Sequence, residues 1–349
     1  MSPTQPAPGA PIFLICSERS GSNLASVIMG AHGGIYAHPP YHMGRDVLMK
    51  LHDALAGGPT GEAWALLRDN AVARVGQYRD AQEAQRLADW FAAQGRIDPC
   101  AIARFIWQQM PPEASGRRPF VKENNIHRLL PFLVSCFPDA QFLFQVRDPR
   151  DFLASAKARS NGRFGNKFGS LREALRVWRD DQEGGLAALS LLGPEKVTLL
   201  RYEDLLADPQ AQLRRVCAFL GLDFDPAMLS FHETEAASRL AGTHDARQNV
   251  GRPLITDNAA KYRKNLSKSE IRTVETHLGD LMDRFGYESD YPRDSRRSAW
   301  RALKPCMTEA VERIVNKQLR ARYKNDNTRL VDALDRVARP VPGMGQDGG

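Results

Sequence analysis

The sequence has no long apolar run. A membrane helix needs about 18 apolar residues in succession. The longest apolar stretches of these 349 residues are far shorter, and the one at positions 11–16 is typical of them. The first ten positions are rich in proline and lack the basic start and apolar centre of a secretory signal. We therefore expect a cytoplasmic protein with no membrane span and a flexible lead over residues 1–10.

Cysteine motifs are absent as well. The five cysteines are scattered and form no Cys-x-x-Cys pair, which argues against a zinc finger and against a small disulfide scaffold. Intracellular proteins keep such thiols reduced, so we predict buried free thiols in a reducing compartment and no metal site. The positions are Cys16, Cys100, Cys136, Cys217 and Cys306.

Excess basic charge is scarce in most of the chain and is concentrated at its end. The 48 Lys and Arg side chains exceed the 41 Asp and Glu by seven, and residues 293–349 hold 13 basic and 7 acidic side chains, a net of +6. Residues 1–292 therefore carry a net charge of +1. An anionic partner is indicated, but the motifs and aromatic interleaving of nucleic-acid-binding proteins are missing, so we expect no nucleic acid.

Four short apolar runs are typical of strands buried on both faces of a parallel sheet. They cover residues 12–16, 119–122, 141–146 and 196–200. Helical patterns follow polar turns at 23–31, 149–159 and 202–207. This alternation predicts an α/β fold, a P-loop-like central parallel sheet flanked by helices, with a ligand site at the carboxyl ends of the strands.

Further helical patterns indicate the domain organisation. Residues 43–118 read as a helical insertion that caps the sheet and shapes a pocket. A helix over 267–285 begins with Ser267 as N-cap, and Glu270 completes a capping box. Amphipathic spacing also runs through 298–337. We predict one domain over residues 11–292 and a basic helical extension over 293–349.

Two strand–helix junctions carry residues suited to anions. The first, Ser17-Glu-Arg-Ser-Gly-Ser-Asn23, is a small-residue turn whose backbone N–H groups can converge on a phosphate, with Arg19 adding charge. It lacks the spacing of a Walker motif, and taken alone it is better explained as an ordinary capped strand–helix junction. The second junction places Arg147 at a strand end and Ser155 two turns into the next helix.

These junctions, together with Leu-Arg-Tyr-Glu-Asp-Leu at 200–205, resemble the sulfotransferase family that uses 3'-phosphoadenosine 5'-phosphosulfate (PAPS). The Arg-Ser-Gly triplet is similar to that of bacterial and tyrosylprotein members, and the resemblance spans about residues 11–287. It implies PAPS as the sulfuryl donor. The residues it implies are Arg19, Ser20, Gly21, Ser22 and Asn23 for the 5'-phosphosulfate, Arg147 and Ser155 for the 3'-phosphate, Tyr202 near the adenine, and Lys261 in a loop closing over the nucleotide, where Tyr262 replaces the usual tryptophan.

The resemblance leaves the catalytic base open. Sulfuryl transfer needs positioning and charge stabilisation, and we expect Arg19 on the oxygen between phosphorus and sulfur, with Lys122 sharing that charge. Where cytosolic members have a base histidine this chain has Asn124, and Tyr41 stands where the bacterial pattern has glutamate. The remaining candidates for the base are His38, His42 and Glu123.

The sequence therefore predicts a PAPS-dependent sulfotransferase acting on a hydroxyl or amine of a small-molecule or saccharide acceptor, without a metal ion. Two alternatives stay open: a nucleotide-dependent kinase on the same fold, and a non-catalytic nucleotide-binding or assembly protein. The missing Walker lysine argues against the kinase, as does the pair Arg147 and Ser155, which ATP would leave without a partner. The oligomeric state also stays open, a homo-oligomer included.

Overall fold

The structure is a computed structural model that describes residues 9–48, 51, 54, 61–94, 98–110, 114–158, 170–242 and 245–291. The predicted extension over 293–349 and most of the predicted lead lie outside the described residues.

The central sheet has five parallel strands: β1 Ile12–Cys16, β2 Ile35–Ala37, β3 Arg118–Lys122, β4 Gln141–Val146 and β5 Val197–Arg201. Their order is β2-β3-β1-β4-β5, and every neighbouring pair is parallel. Ile12 lies opposite Phe120 in β3 and Gln141 in β4. The predicted parallel sheet is confirmed. Strand β2 was not predicted, because three residues are too few to show a periodicity.

Helices cover both faces of the sheet. None of the described helices is long and apolar enough to cross a membrane. The predicted capping box at Ser267 and Glu270 is confirmed. The helices are α1 Ser22–Gly30, α2 Met43–Asp46, α3 Glu62–Tyr78, α4 Ala81–Ala92, α5 Pro99–Arg104, α6 Leu130–Cys136, α7 Pro149–Ala158, α8 Leu171–Leu192, α9 Tyr202–Ala207, α10 Pro209–Leu220, α11 Glu235–Gly242, α12 Tyr262–Asn265 and α13 Lys268–Arg284, with 3-10 segments at Ile126–Leu129, Pro226–Glu233 and Asp245–Gly251 and a π-helical turn at Phe105–Gln109.

Strand β1 lies at the centre of the core, and all five of its residues are buried. Phe13 and Ile15 pack into the layer that contains α3, α8 and α13. Ile12, Leu14 and Cys16 pack into the opposite layer, which contains α1 and α10. A strand covered on both faces needs apolar side chains at every position, which is why its sequence is one continuous apolar run.

The described parts of 43–110 are helical. Trp64 and Trp107 are buried there, and Trp90 stacks on Phe105 with ring centroids 4.6 Å apart. These aromatic side chains belong to the core, as the helical spacing of the tryptophans indicates.

The prediction of free thiols is wrong at two positions. Cys100 in α5 and Cys136 in α6 form a disulfide. The pair could not be read from the sequence, because the two residues are 36 positions apart and are brought together only by the packing of the two helices. Cys16 and Cys217 are buried free thiols, and burial raises the pKa of each to about 11.

Candidate active site

The loop between β1 and α1 has a backbone suited to an anion. Arg19 has φ 65° and Gly21 has φ 88°, so two of its residues adopt the left-handed conformation. The Ser20 hydroxyl donates to the Ser17 carbonyl at 2.6 Å, and Gln145 donates to the Ser20 carbonyl at 3.1 Å. No side chain caps the N-terminus of α1. The first N–H groups of a helix have no acceptor within the helix, so they are available to a bound anion.

Arg147 and Ser155 lie beside this loop. Nε and Nη2 of Arg19 donate to the Ser155 hydroxyl at 3.1 and 3.0 Å. Nη1 of Arg147 donates to the Arg19 carbonyl at 3.1 Å, and the Trp178 indole donates to the Arg147 carbonyl at 3.1 Å. The structure therefore brings together three predicted residues, from the loop after β1, from the position after β4 and from α7. We call Arg19, Arg147 and Ser155 the arginine cluster.

The position expected for the Arg19 guanidinium beside a bound donor stays a prediction. We expected its guanidinium at the oxygen between phosphorus and sulfur, but the guanidinium contacts Ser155, the residue assigned to the 3'-phosphate. Arg19 has a left-handed backbone, and its side chain reaches Ser155 in α7. Lys122 is the other predicted cation, and its Nζ donates to Asn124 at 3.4 Å. Asn124 in turn donates to Glu18 of the loop at 2.8 Å.

Tyr202 and Asn258 both contact Arg147 of the arginine cluster. The Arg147 guanidinium lies 4.5 Å from the centre of the Tyr202 ring, and Asn258 donates to the Tyr202 hydroxyl at 2.7 Å. Nη2 of Arg147 donates to the Asn258 carbonyl at 3.2 Å. Asn258 was not predicted; its place three residues before Lys261 was the only sign of it.

Gly21 makes the close packing of Tyr202 possible. A Cβ atom at position 21 would come within 2.6 Å of Cδ2 of the Tyr202 ring. The tyrosine therefore lies directly against the loop. The buried Nε of Arg147 has no hydrogen-bond partner among the described residues. An unsatisfied buried donor on a guanidinium is what a bound phosphate would satisfy.

Lys261 and Tyr262 have different environments. Lys261 is exposed at the start of α12, whereas Tyr262 is buried. The Tyr262 N–H donates to Asp151 at 2.8 Å, and Asp151 lies 3.9 Å from Arg147. Tyr262, found where the family usually has tryptophan, thus anchors its loop to α7, and Lys261 stays on the outside of that loop.

A cavity of about 160 Å³ adjoins the loop. Asn23 and Lys122 belong to its wall, so it begins where the anion loop ends. The wall is mostly apolar and aromatic. We call this cavity the side pocket; its lining residues are Asn23, Ser26, Val27, Gly30, Tyr36, Ala37, His38, Pro39, Pro40, Tyr78, Arg79, Arg117, Lys122, Ala236, Arg239 and Leu240.

Of the three candidates for the base, His38 is the one that lines the side pocket. Its Nε2 lies 3.0 Å from the carbonyl oxygen of Trp107. Because a carbonyl only accepts, Nε2 must carry the proton, which leaves a lone pair on Nδ1 of the neutral ring. Burial lowers the pKa of His38 to about 4, with the Arg79 charge adding to the effect. The ring is therefore neutral at neutral pH.

The other two candidates are not among the residues that line the side pocket. The His42 ring makes an edge contact with Tyr78, with centroids 5.9 Å apart. Glu123 is buried, and its Oε1 accepts from the Met43 N–H at 3.0 Å, where α2 begins. Both side chains therefore hold the segment that precedes and opens α2.

A polar layer under the loop was not predicted. Gln182 in α8 donates to the Ser17 hydroxyl at 2.7 Å, and burial raises the pKa of the neighbouring Asp181 to about 7. Helix α8 itself was missed, so no sequence signal pointed to these residues. Within the part of the chain that the structure describes, no group of three His, Cys, Asp or Glu side chains is arranged to hold a metal ion.

A parallel sheet with an uncapped helix after β1 and an arginine after β4 defines an anion-binding α/β protein of the nucleotide-binding type. A family model described as "Sulfotransferase family" matches residues 11–226. The chain belongs to the sulfotransferase family.

Individual relatives agree with this assignment. The chain is 25% identical over 298 residues to nodulation protein NoeE of Sinorhizobium fredii, covering 79% of this chain and 65% of that protein. It is 28% identical over 193 residues to the omega-hydroxy-beta-dihydromenaquinone-9 sulfotransferase Stf3 of Mycobacterium bovis, covering 52% and 44%. The chain thus spans less than two thirds of the length of these curated relatives.

Solved structures share the fold. The sulfotransferase domain from the Synechococcus PCC 7002 olefin synthase has a TM-score of 0.61 and 21% identity, covering 84% of this chain and 99% of that domain. The sulfotransferase domain from the curacin biosynthetic pathway has a TM-score of 0.55 and 23% identity, covering 79% and 99%.

Proposed function

We propose that this protein transfers the sulfuryl group of PAPS to a hydroxyl or amine of a small-molecule or saccharide acceptor. One observation carries the proposal: the uncapped N-terminus of α1 and the arginine cluster lie side by side, linked by the hydrogen bond from Arg147 to the Arg19 carbonyl. A ligand with phosphate groups on both the 5' and 3' positions of one ribose matches two adjacent anion sites. Membership of the sulfotransferase family supports the same donor.

The described residues fit PAPS. The N–H groups at the start of α1, with the Ser20 and Ser22 hydroxyls, would hold the 5'-phosphosulfate. The free Nε of Arg147, with Arg19 and Ser155, would hold the 3'-phosphate, which gives the unsatisfied donor its partner. Tyr202 would border the adenine, and Lys261 would approach from outside.

In PAPS the sulfuryl group is bonded to the 5'-phosphate, which is the leaving group when the sulfuryl group is transferred. Lys122 would place a positive charge at the junction of the loop and the side pocket, where negative charge develops during transfer. Nδ1 of His38 would accept the proton of the acceptor hydroxyl, with Nε2 held on the Trp107 carbonyl. An acceptor oxygen becomes more acidic as its bond to sulfur forms, so a base with a low pKa suffices.

A cytoplasmic location is also a proposal. It is supported by the free thiols Cys16 and Cys217, whereas the disulfide between Cys100 and Cys136 favours an oxidising compartment. Fractionation of the producing cells would decide it: recovery with the membrane or exported fraction would contradict the proposal. The oligomeric state stays open, a homo-oligomer included.

The test of the function is transfer of labelled sulfate from PAPS to a panel of phenols, hydroxy acids, amines and saccharides. We expect a labelled product with at least one class of acceptor, and none when the γ-phosphate of ATP is the labelled group. Transfer from ATP would support the kinase. Tight binding of adenosine 3',5'-bisphosphate without transfer to any acceptor would support the non-catalytic protein.

A further inference from the structure

The side pocket is basic. Its described wall contains the side chains of Arg79, Arg117, Lys122 and Arg239 and no Asp or Glu. Lys122 lies next to the loop and is accounted for by the proposed transfer. The three arginines have no role in that reaction, and a pocket for a neutral acceptor has no need of them.

Two of the arginines flank one aromatic ring. The guanidinium carbons of Arg79 and Arg117 lie 6.0 and 5.8 Å from the centre of the Tyr36 ring. Nη1 of Arg79 also donates to the Tyr36 hydroxyl at 2.9 Å. The Tyr36 ring in turn contacts His38 edge to face, with centroids 5.1 Å apart. The Tyr36 ring therefore contacts both the two guanidinium groups and the proposed base, His38.

Arg117 has the least compensated charge of the three. Arg79 lies 3.8 Å from Asp80, and Arg239 forms an ion pair with Glu235. No carboxylate of the described residues pairs with Arg117, which donates to the His32 carbonyl at the long distance of 3.5 Å. Its buried Nε has no hydrogen-bond partner in the described parts of the chain. A half-buried guanidinium with an unused donor is stabilised by a bound anion.

The rest of the wall suits a small carbon skeleton. Val27, Pro39, Pro40 and Leu240 line the pocket. Its volume of about 160 Å³ is close to that of an apolar protein cavity of about 150 Å³ that binds benzene. A six-membered ring or a short chain would fit between the arginines and Lys122.

We propose that the acceptor carries an anionic group, a carboxylate or a phosphate monoester, which binds Arg117 and Arg79 while its hydroxyl lies beside His38 and Lys122. The inference rests on the proposed sulfuryl transfer and narrows its acceptor to hydroxylated acids. Arg117 is the specificity-determining residue, because its donors and charge are the least used by the protein itself.

The test measures acceptor binding without turnover. The protein is saturated with adenosine 3',5'-bisphosphate and titrated calorimetrically with 4-hydroxyphenylacetate and 3-hydroxybutyrate, each against its methyl ester, and with 4-hydroxyphenyl phosphate. We expect each acid to bind at least about tenfold more tightly than its ester. The phosphate and carboxylate arms identify which anion is preferred.

Variants separate the role of Arg117 from a general effect of charge. Arg117→Gln should weaken the binding of the acids about tenfold and leave the binding of the esters unchanged. Arg272→Gln is the matched control, because Arg272 is exposed and also lies over a tyrosine, 4.6 Å from the centre of Tyr291, outside the described pocket wall. It should leave acids and esters unchanged.

Three results would overturn the inference. They are equal affinity for acid and ester in every pair, no binding of any acid, and an equal loss of affinity for acids and esters in Arg117→Gln. Failure of the bisphosphate itself to bind would count against the proposed function. The acids would then be titrated into the free protein, where the anion site must still prefer them to the esters.

Discussion

His38, the proposed base, is distinguished from the other candidates by its surroundings. Its sequence neighbours, prolines and aromatic residues, do not distinguish it from His42. The hydrogen bond that fixes its tautomer is donated by its Nε2 to a carbonyl 69 residues away, and its neutrality comes from burial. The sequence could therefore offer His38 as a candidate but could not select it.

Replacing His38 by glutamine should slow sulfuryl transfer by about 10²- to 10⁴-fold. Glutamine can keep the donation to the Trp107 carbonyl but has no basic lone pair. We expect kcat to fall while the affinity for adenosine 3',5'-bisphosphate, measured by calorimetry, stays unchanged. An unchanged kcat would remove His38 from the mechanism, and His42→Gln and Glu123→Gln would then be measured in the same assay.

The pH profile gives a second measurement on His38. The base must be neutral, and the pKa of His38 is lowered from 6.5 to about 4, so kcat/KM should stay level through pH 6.5 and fall only near pH 4. The unfolded chain takes up this proton near 6.5, so His38 lowers the free energy of unfolding as the pH drops from 6.5 toward 4. Initial rates therefore need a parallel stability measurement. A fall of kcat/KM near pH 6.5 in a sample that stays fully folded would contradict the assignment of His38 as the base.

Gly21 tests the fit between the loop and Tyr202. Gly21→Ala adds a Cβ that meets the Tyr202 ring at a left-handed position, φ 88°. Gly116→Ala is the matched control, because it has φ 76° and nothing within 4 Å of the new Cβ. Each change should cost roughly 1–2 kcal/mol of stability for the left-handed backbone, and the overlap with the Tyr202 ring should add to the cost of Gly21→Ala. Only Gly21→Ala should also weaken bisphosphate binding more than tenfold; equal affinities in the two variants would contradict the packing described here.

At the scale of elements, the sequence predicted what is local and missed what is decided by packing. Strand β1 is a continuous apolar run and β4 is mostly apolar. Arg19 and Arg147 stand at the predicted strand–helix junctions, whereas the pairing of Arg147 with Ser155 was implied by the family resemblance. Helix α8, 22 residues long, was missed because Gly184 and Gly185 interrupt its helical pattern with poor helix formers. In the structure these glycines let α8 approach His127 and Phe144 closely.

Gly185→Ala should therefore destabilise the protein by about 1–3 kcal/mol, because the added Cβ overlaps the Phe144 ring of β4. Gly76→Ala is the control within another helix, since its Cβ would lie 3.6 Å from that of Ala84, an ordinary contact. It should be stabilising by roughly 0.5–1 kcal/mol. Chemical unfolding of both variants measures the difference; a neutral Gly185→Ala would contradict the close packing of α8 on β4.

For the whole molecule, the charge distribution and the site give a consistent account. The excess positive charge of the chain lies mainly after residue 292, whereas residues 1–292 carry a net of +1. The proposed anion sites therefore depend on a few placed side chains and on the N-terminus of α1, not on bulk charge. The fold class was predictable because strand–turn–helix alternation is a local pattern. The disulfide between Cys100 and Cys136 was not, because it depends on the assembled tertiary structure.

The central claim is that the arginine cluster binds a 3'-phosphate, and calorimetry with adenosine 3',5'-bisphosphate and adenosine 5'-monophosphate tests it most directly. The wild-type protein should bind the bisphosphate about tenfold to a hundredfold more tightly than the monophosphate. This ratio corresponds to the free energy of a charged hydrogen bond. Arg147→Gln, checked for an unchanged circular dichroism spectrum, should lose most of that preference while keeping much of its affinity for the monophosphate. Equal affinity of the wild-type protein for the two nucleotides, or an equal loss of both in Arg147→Gln, would contradict the account.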